Sequence, residues 1–277
     1  MLEHLDDYLQ ELIQANRSRH TIRAYRQDLA EFAGELTVAN LRSHFAGMTH
    51  LAASTRARKQ AAVSAYCRWA IRNELLDYNP MDRLDRVHVE PPPPRGITRE
   101  QFLNILAQVK NTRDRLLLRL MFETGIRIDE ALHIHVEDLD LRRDDEHLTV
   151  IGKGKKQRTL LLDDPTLLTQ LRGYLKKTGY DRGLLFRAEK NGTGEAIRYQ
   201  SIQEKWAGYC RRAEISCTLH QLRHGHATEL VNDNVSLATI RKRLGHRHIQ
   251  TTLRYAEISD QAAESELRTR RRRMSSR

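Results

Sequence analysis

A mainly α protein is expected, made of two helical domains, the second carrying a small antiparallel β-sheet. Three observations predict it. Apolar residues recur at intervals of three and four through much of the 277-residue chain. Four consecutive prolines, Pro91 to Pro94, interrupt that pattern. Two β-like runs, His147 to Ile151 and Thr159 to Leu162, flank Gly152-Lys153-Gly154-Lys155, a glycine-containing hairpin signal.

The proline run favours extended polyproline geometry and a semi-rigid spacer. It divides the chain into domains at 1–90 and 97–277 joined by a linker at 91–96. In the first domain, Thr21 is expected to cap a helix whose Ile22, Tyr25, Leu29 and Phe32 face inward. Ser54 or Thr55 is expected to cap a second, with Ala62, Tyr66, Trp69 and Ala70 inside. Arg23 and Arg26 lie on the outer face of the first helix. Arg56, Arg58, Lys59, Arg68 and Arg72 surround the second, and two basic helices in one small unit predict a surface for a phosphate backbone.

Past the linker, Thr98 with Glu100 and Gln101 reads as a capping box. An apolar helix around Leu116 to Phe122 ends at Thr124-Gly125, and a short helix starts near Arg127. After the hairpin, from Gln200 onward, helices are expected, broken at Cys217, at 232–234 and at Gly245.

Lys and Arg number 47 against 36 Asp and Glu, a formal charge of +11. That disfavours an acidic-ligand buffer or a disordered acidic tail and makes nucleic acid or an anionic membrane surface the natural partner, through release of counterions condensed on phosphates. Cys67, Cys210 and Cys217 form no CxxC pair, so neither a cysteine zinc site nor a disulfide framework is expected. No run approaches eighteen apolar residues and MLEHLDDYLQ is acidic, so a cytoplasmic protein is expected.

Five motifs carry chemistry. In Thr124-Gly125-Ile126-Arg127-Ile128-Asp129-Glu130, an arginine at a helix start has a carboxylate one turn away. Ile151 to Arg158 is a basic hairpin tip without P-loop spacing. His220-Gln221-Leu222-Arg223-His224 sets His220 and Arg223 one turn apart. Its two histidines at i,i+4 admit a metal, although no HExxH glutamate or third ligand accompanies them. Leu244-Gly245-His246 follows, and Thr251-Thr252-Leu253-Arg254-Tyr255 places a tyrosine nine residues past His246.

This order resembles the tyrosine recombinase family, which includes phage integrases and Xer proteins. TGIRIDEAL is similar to its TGLRxSEL box and VIGKGKKQR to its hairpin lysine box. TLHQLRHGHATEL and LGHRHIQTTLRYAEI are similar to its last two boxes. HTIRAYRQDLAEF and AYCRWAIRNELLDYNP resemble its helical core-binding domain. Gly225-His226 departs from the family's frequent Ser-Phe.

The resemblance implies a core-binding domain followed by a catalytic domain, with Tyr255 attacking a DNA phosphodiester to give a 3′-phosphotyrosyl link. It implies Arg127 and Arg223 on the charged phosphorane, His246 as a further donor, His220 as proton acceptor and Lys153 as general acid, with Glu130 in support. It implies no metal and no cofactor. The implied partners are duplex DNA recombination sites, three further copies in a tetramer on two sites, and accessory or partner recombinases. A segment near 259–267 would dock on a neighbouring protomer, and Arg268 with Arg270 to Arg273 would add backbone affinity. Two other functions are compatible with these residues. One is a non-catalytic DNA-binding regulator using Ser236 to Tyr255 as a helix-turn-helix. The other is a type IB topoisomerase.

Overall fold

The computed structural model describes residues 2–90, 96–152, 156–188, 194–245 and Leu253. The chain divides into two units, Met1–Pro92 and Pro93–Arg277.

In the first unit, α1 (Leu5–Gln14), α2 (Arg19–Ala30), α3 (Val38–Ala46) and α4 (Ala53–Arg72) precede a 3₁₀ turn at Pro80–Arg83. Tyr8 of α1 meets Tyr66 of α4 edge-on with centroids 5.4 Å apart, and its ring lies 5.4 Å from that of Trp69. Leu9, Leu29, Leu41, Ala62, Val63 and Ala70 close the core around these rings. Each large ring removes roughly 200 Å² of surface from water, which is why they dominate so small a core. The expected inner face of α4 is thus the buried one.

Three expectations need correction here. Ser18, not Thr21, caps α2: its Oγ accepts the Thr21 N–H at 3.1 Å, placing Thr21 in the first turn. α4 begins after Ala52 with no side-chain cap, and Ser54 and Thr55 lie inside the helix. The helix is held instead by its buried apolar stripe farther along, from Ala62 to Ala70.

Lys59 is the third. It is only 5% exposed, with Nζ 2.6 Å from Glu31 and 3.4 Å from Asp28. Asp28 is itself buried, and a carboxylate there without a cation would cost several kcal/mol, on the order of 3–5. Lys59 therefore neutralises the interior of the unit instead of facing a ligand. Arg58 joins the same carboxylate. Arg26 pairs with Asp6 at 3.1 Å, Arg23 is exposed and Arg56 half-buried.

The second unit runs α5 (Arg99–Ala107), α6 (Thr112–Thr124), α7 (Ile128–Leu132), a 3₁₀ turn (Val136–Asp138), β1 (Leu139–Asp140), β2 (His147–Ile151), β3 (Gln157–Leu161), α8 (Pro165–Thr178), α9 (Tyr199–Arg212), α10 (Leu219–Asn232) and α11 (Leu237–Leu244). Thr98 and Gln101 exchange the two hydrogen bonds of a capping box, at 3.2 and 3.0 Å. α6 is the central helix: Leu116 to Phe122 are all buried, and Phe122 stacks on Phe102 at 4.2 Å. Near its start the buried Asp114 accepts from Arg113, from Lys205 at 2.8 Å and from Tyr209 at 3.0 Å. Burial alone would raise this carboxyl; the bonds from Lys205 and Arg113 hold it below its ordinary range.

The sheet is antiparallel in the order β1-β2-β3. β1 was not among the expected elements, because two residues are too few to show a period. β3 starts at Gln157, two residues ahead of the expected Thr159. Leu148, Val150 and Leu160 form its buried face, and Arg158, paired across from Val150 and in phase with Leu160, shares it. α8 also has no expected counterpart, although Asp164-Pro165 is a start signal: the Asp164 carboxylate accepts the Leu167 N–H at 2.6 Å.

Cys210 and Cys217, distant in the sequence reading, come together where α9 turns toward α10. Their sulfurs are 3.6 Å apart and both thiols are free. Among the described residues no helix is long and apolar enough to cross a membrane.

Candidate active site

The site is built where three chain segments meet near the carboxyl ends of α6 and α11. α6 stops because Gly125 takes φ +66°, a left-handed value that a side chain would strain. The chain then turns so that Arg127 stands at the cap position of α7. Glu130, in the first turn of that helix, reaches back: one oxygen accepts the Arg127 backbone N–H at 2.9 Å and the other accepts Nη1 of the same residue at 3.0 Å.

Arg158 of β3 grips the same carboxylate through both Nη atoms, at 3.0 and 2.7 Å. Its Nε donates to the main-chain oxygen of Arg243 at 3.0 Å. Burial would raise the Glu130 carboxyl, but the Arg158 bonds and the Arg127 N–H outweigh it and hold the group below the usual carboxylate range. Glu130 is therefore a fixed anion. The Arg127 side chain remains 41% exposed.

α10 supplies the histidines and the second arginine. Its first turn is fixed by Gln221, whose side chain accepts the Thr218 N–H at 2.7 Å. Arg223 is 2% exposed. It donates Nη1 to the Gly125 carbonyl at 2.7 Å and Nη2 to the Leu244 carbonyl at 2.6 Å. These are C-terminal carbonyls of α6 and α11, the partially negative ends of the helix dipoles, where a cation is stabilised.

His220 stands one turn earlier on α10, at an exposed position. Atoms packed around its ring, and next the charges of Arg223 and Arg127, lower its imidazole below the ordinary range. Both arginines thus act on one histidine from different elements. A group kept neutral in this way can accept a proton near neutral pH. The His224 ring meets that of His220 edge-on at 4.7 Å, and burial pushes it down to about 4. Among the described residues no group of three or more His, Cys, Asp or Glu is placed to hold a metal ion.

Arg243 of α11 braces the same junction. Nε donates to His226 Nε2 at 3.1 Å and Nη2 to the Glu123 carbonyl at 3.0 Å. Burial pushes His226 down to about 3, so it stays neutral as an acceptor. The neighbouring Gly225 is equally specific: a Cβ there would lie 2.4 Å from the Ile97 carbonyl oxygen, so glycine lets the 96–98 segment press against α10. The Gly225-His226 departure from the family pattern thus has a packing reason.

Of the sequence-predicted residues, Arg127, Glu130, His220 and Arg223 come together. Lys153, His246 and Tyr255 lie outside the described residues, as do the proposed docking segment 259–267, the arginines that follow it and, apart from Leu253, the expected second helix of Ser236 to Tyr255. Sequence reasoning missed Arg158 and Arg243. A signal existed for Arg158: a charged residue in phase with Leu160 and Leu162 belongs to the inward face of a strand, where it needs a partner.

Residues 95–262 match the family model described as the phage integrase family, and residues 5–74 match the phage integrase N-terminal SAM-like domain. The chain belongs to the phage integrase family. It is an enzyme of the tyrosine recombinase type, and this family cleaves and rejoins DNA. Tyrosine recombinase XerA of Pyrococcus furiosus is 28% identical over 265 residues, covering 93% of this chain and 90% of the relative. In the crystal structure of XerH bound to palindromic difH substrate in a post-cleavage complex, the recombinase superposes with a TM-score of 0.77 at 19% identity, over 95% of this chain and 83% of that one. A lambda integrase tetramer bound to a Holliday junction gives 0.73 at 17% identity, over 88% and 76%. At such identities these structures establish the shared fold, a mostly helical chain with a small antiparallel sheet.

Proposed function

We propose that this phage integrase family member is a site-specific recombinase that cleaves and rejoins duplex DNA through Tyr255, pairwise on two sites. The observation that carries the proposal is the convergence of Arg127, Glu130, His220 and Arg223, from two helices far apart in sequence, in a chain whose Tyr255 follows in the family's order.

The phenolic oxygen of Tyr255 forms a bond to the scissile phosphorus and the bond to the 5′-oxygen breaks. The phosphodiester energy is kept in the 3′-phosphotyrosyl link, so rejoining needs no ATP. A phenol near pKa 10 must lose its proton as it attacks, and neutral His220 accepts it. Lys153 gives a proton to the departing 5′-oxygen. Negative charge grows on the nonbridging oxygens, where Arg127, Arg223 and His246 stabilise it. Arginine suits this role because it does not lose its proton under any working condition.

Strand exchange would need two synapsed sites and four protomers, with the 259–267 segment docking on a neighbour. The +11 charge supports DNA as the partner, with Arg23, Arg26, Arg56 and Arg58 as backbone contacts of the first unit and a cytoplasmic, nucleoid-associated location. The domain division at 1–90, 91–96 and 97–277 then separates a DNA-gripping module from the catalytic one.

A plasmid carrying two copies of the cognate site tests this reading. Incubation with chelator should give recombinant circles and a branched four-way intermediate that accumulates early. Relaxation of supercoils without exchange would favour the topoisomerase reading, and binding without either product the regulator reading.

A further inference from the structure

The geometry points to Arg158 as a positioning residue for Arg127, acting through Glu130; this rests on the proposed cleavage chemistry. Glu130 is a buried anion shared by two guanidinium groups. Arg158 holds both of its oxygens through Nη1 and Nη2 and is itself only 13% exposed. Arg127 contributes one guanidinium bond, through Nη1, and remains 41% exposed.

The division has a chemical consequence. An arginine has five N–H donors in a rigid fork, and a carboxylate with no other cation takes that fork bidentately. With Arg158 absent, the buried Glu130 would draw Arg127 into that two-bond arrangement. Its charge would then be neutralised by the carboxylate instead of acting on phosphate. Arg158 satisfies Glu130 from the sheet side, so Arg127 is fixed by one bond yet keeps donors for substrate.

The third bond of Arg158, from Nε to the Arg243 carbonyl, ties this arrangement to the last turn of α11. The Leu244 carbonyl in that same turn receives Arg223. One side chain on β3 therefore sets the spacing between the Arg127 and Arg223 segments. The hairpin box VIGKGKKQR ends on Arg158 but gives it no role; only the inward phase of the strand marks that role.

The test uses the full-length protein and single-turnover cleavage of nicked suicide duplexes, first mapped with wild type on a pool tiled across DNA flanking its gene. Arg158→Gln, Arg158→Lys and wild type are compared on three versions of the mapped duplex. One has a normal scissile phosphodiester, one a neutral methylphosphonate, and one a 5′-bridging sulfur that leaves without a general acid. Arg158→Gln should lose about 10²-fold in rate on the phosphodiester, as for removal of one oxyanion donor. On the methylphosphonate, which develops less charge for Arg127 to stabilise, the deficit should shrink to about 3-fold or less. The bridging sulfur should not rescue it, and Arg158→Lys should lie between wild type and Arg158→Gln.

An equal deficit on all three duplexes would mean that Arg158 only supports the fold, and rescue by sulfur would mean that it acts on the Lys153 hairpin; either overturns the inference. If Arg158→Gln fails to fold by circular dichroism, Arg158→Lys carries the test, with a smaller deficit that must shrink on the methylphosphonate in the same way. If wild type forms no covalent product on any duplex, the proposed cleavage reading itself fails, which is a different result.

Discussion

Arg223 donates an Nη2 hydrogen bond of 2.6 Å to the carbonyl of Leu244, the residue that ends α11 two positions before His246. Its Nη1 bond to the Gly125 carbonyl fixes the turn two residues before Arg127. One buried guanidinium thus sets the chain on both sides of the site, so Arg223 has a structural task that Arg127 lacks.

That difference predicts an asymmetry. Arg223→Ala leaves two buried carbonyls without a charged donor and should destabilise the protein by about 3 kcal/mol. Arg127→Ala removes a half-exposed arginine whose buried carboxylate partner keeps Arg158, and should cost under about 1 kcal/mol. Urea titration of both variants beside wild type checks this; equal losses would contradict the assignment. Both should slow cleavage, by about 10²-fold or more, without removing it.

The pH dependence of cleavage follows from His220. Its imidazole is lowered in the folded protein, so it stays neutral to a pH below its ordinary range and loses its accepting role only as pH falls further. The acidic limb of single-turnover cleavage should lie below pH 6.5, and should move upward in Arg127→Gln, which removes one of the charges that lower it. An acidic limb that stays put in this variant would break the link between the two residues.

Stability in acid should show His226. Its folded value, about 3, is below its unfolded one, so the unfolded chain binds the extra proton between them. The contribution is fully present above about pH 6.5 and is lost as pH falls, with a slope of about 1.4 kcal/mol per unit from this group. The variant His226→Gln keeps an acceptor for Arg243 and cannot titrate. Thermal melts between pH 7 and 5 should fall less steeply for it than for wild type.

Gly225→Ala tests close packing. Its Cβ would meet the Ile97 carbonyl oxygen at 2.4 Å, against main chain that cannot swing aside, so a loss of about 1–3 kcal/mol is expected. A melting temperature equal to that of wild type would show that the 96–98 segment yields easily.

Salt should govern DNA affinity. A protein that neutralises several phosphates should lose about 10³-fold or more in affinity between 50 and 200 mM salt. Fluorescence anisotropy on a labelled duplex measures it, and a flat response would contradict a backbone-gripping protein.

What the sequence made legible was local. Thr98 with Gln101, the Gly125 stop and the Arg127–Glu130 pair all form within one turn, so spacing alone indicates them. The inner face of α4 was legible for the same reason. Lys59 was misread because its partners Asp28 and Glu31 come from another helix, and a lysine on a basic helix looks solvated until that helix packs. The α2 cap was misjudged by three residues because Ser18 and Thr21 are both plausible caps, and only the backbone shows which oxygen accepts. Arg158 and Arg243 escaped because their meaning lies in carbonyls and carboxylates far away in sequence, brought near by the sheet and α11. The family order supplied what no single spacing could, namely the proposal that Arg127, His220, Arg223 and Tyr255 serve one reaction.

The most direct test of that reaction is a denaturing gel of wild type and Tyr255→Phe on nicked suicide duplexes in the presence of chelator. Wild type should give a covalent protein–DNA band, with a free 5′-hydroxyl on the released strand, and the variant none, although both bind the duplex equally. A band that persists in Tyr255→Phe, or tight binding by wild type that never yields one on any duplex, would contradict that reaction.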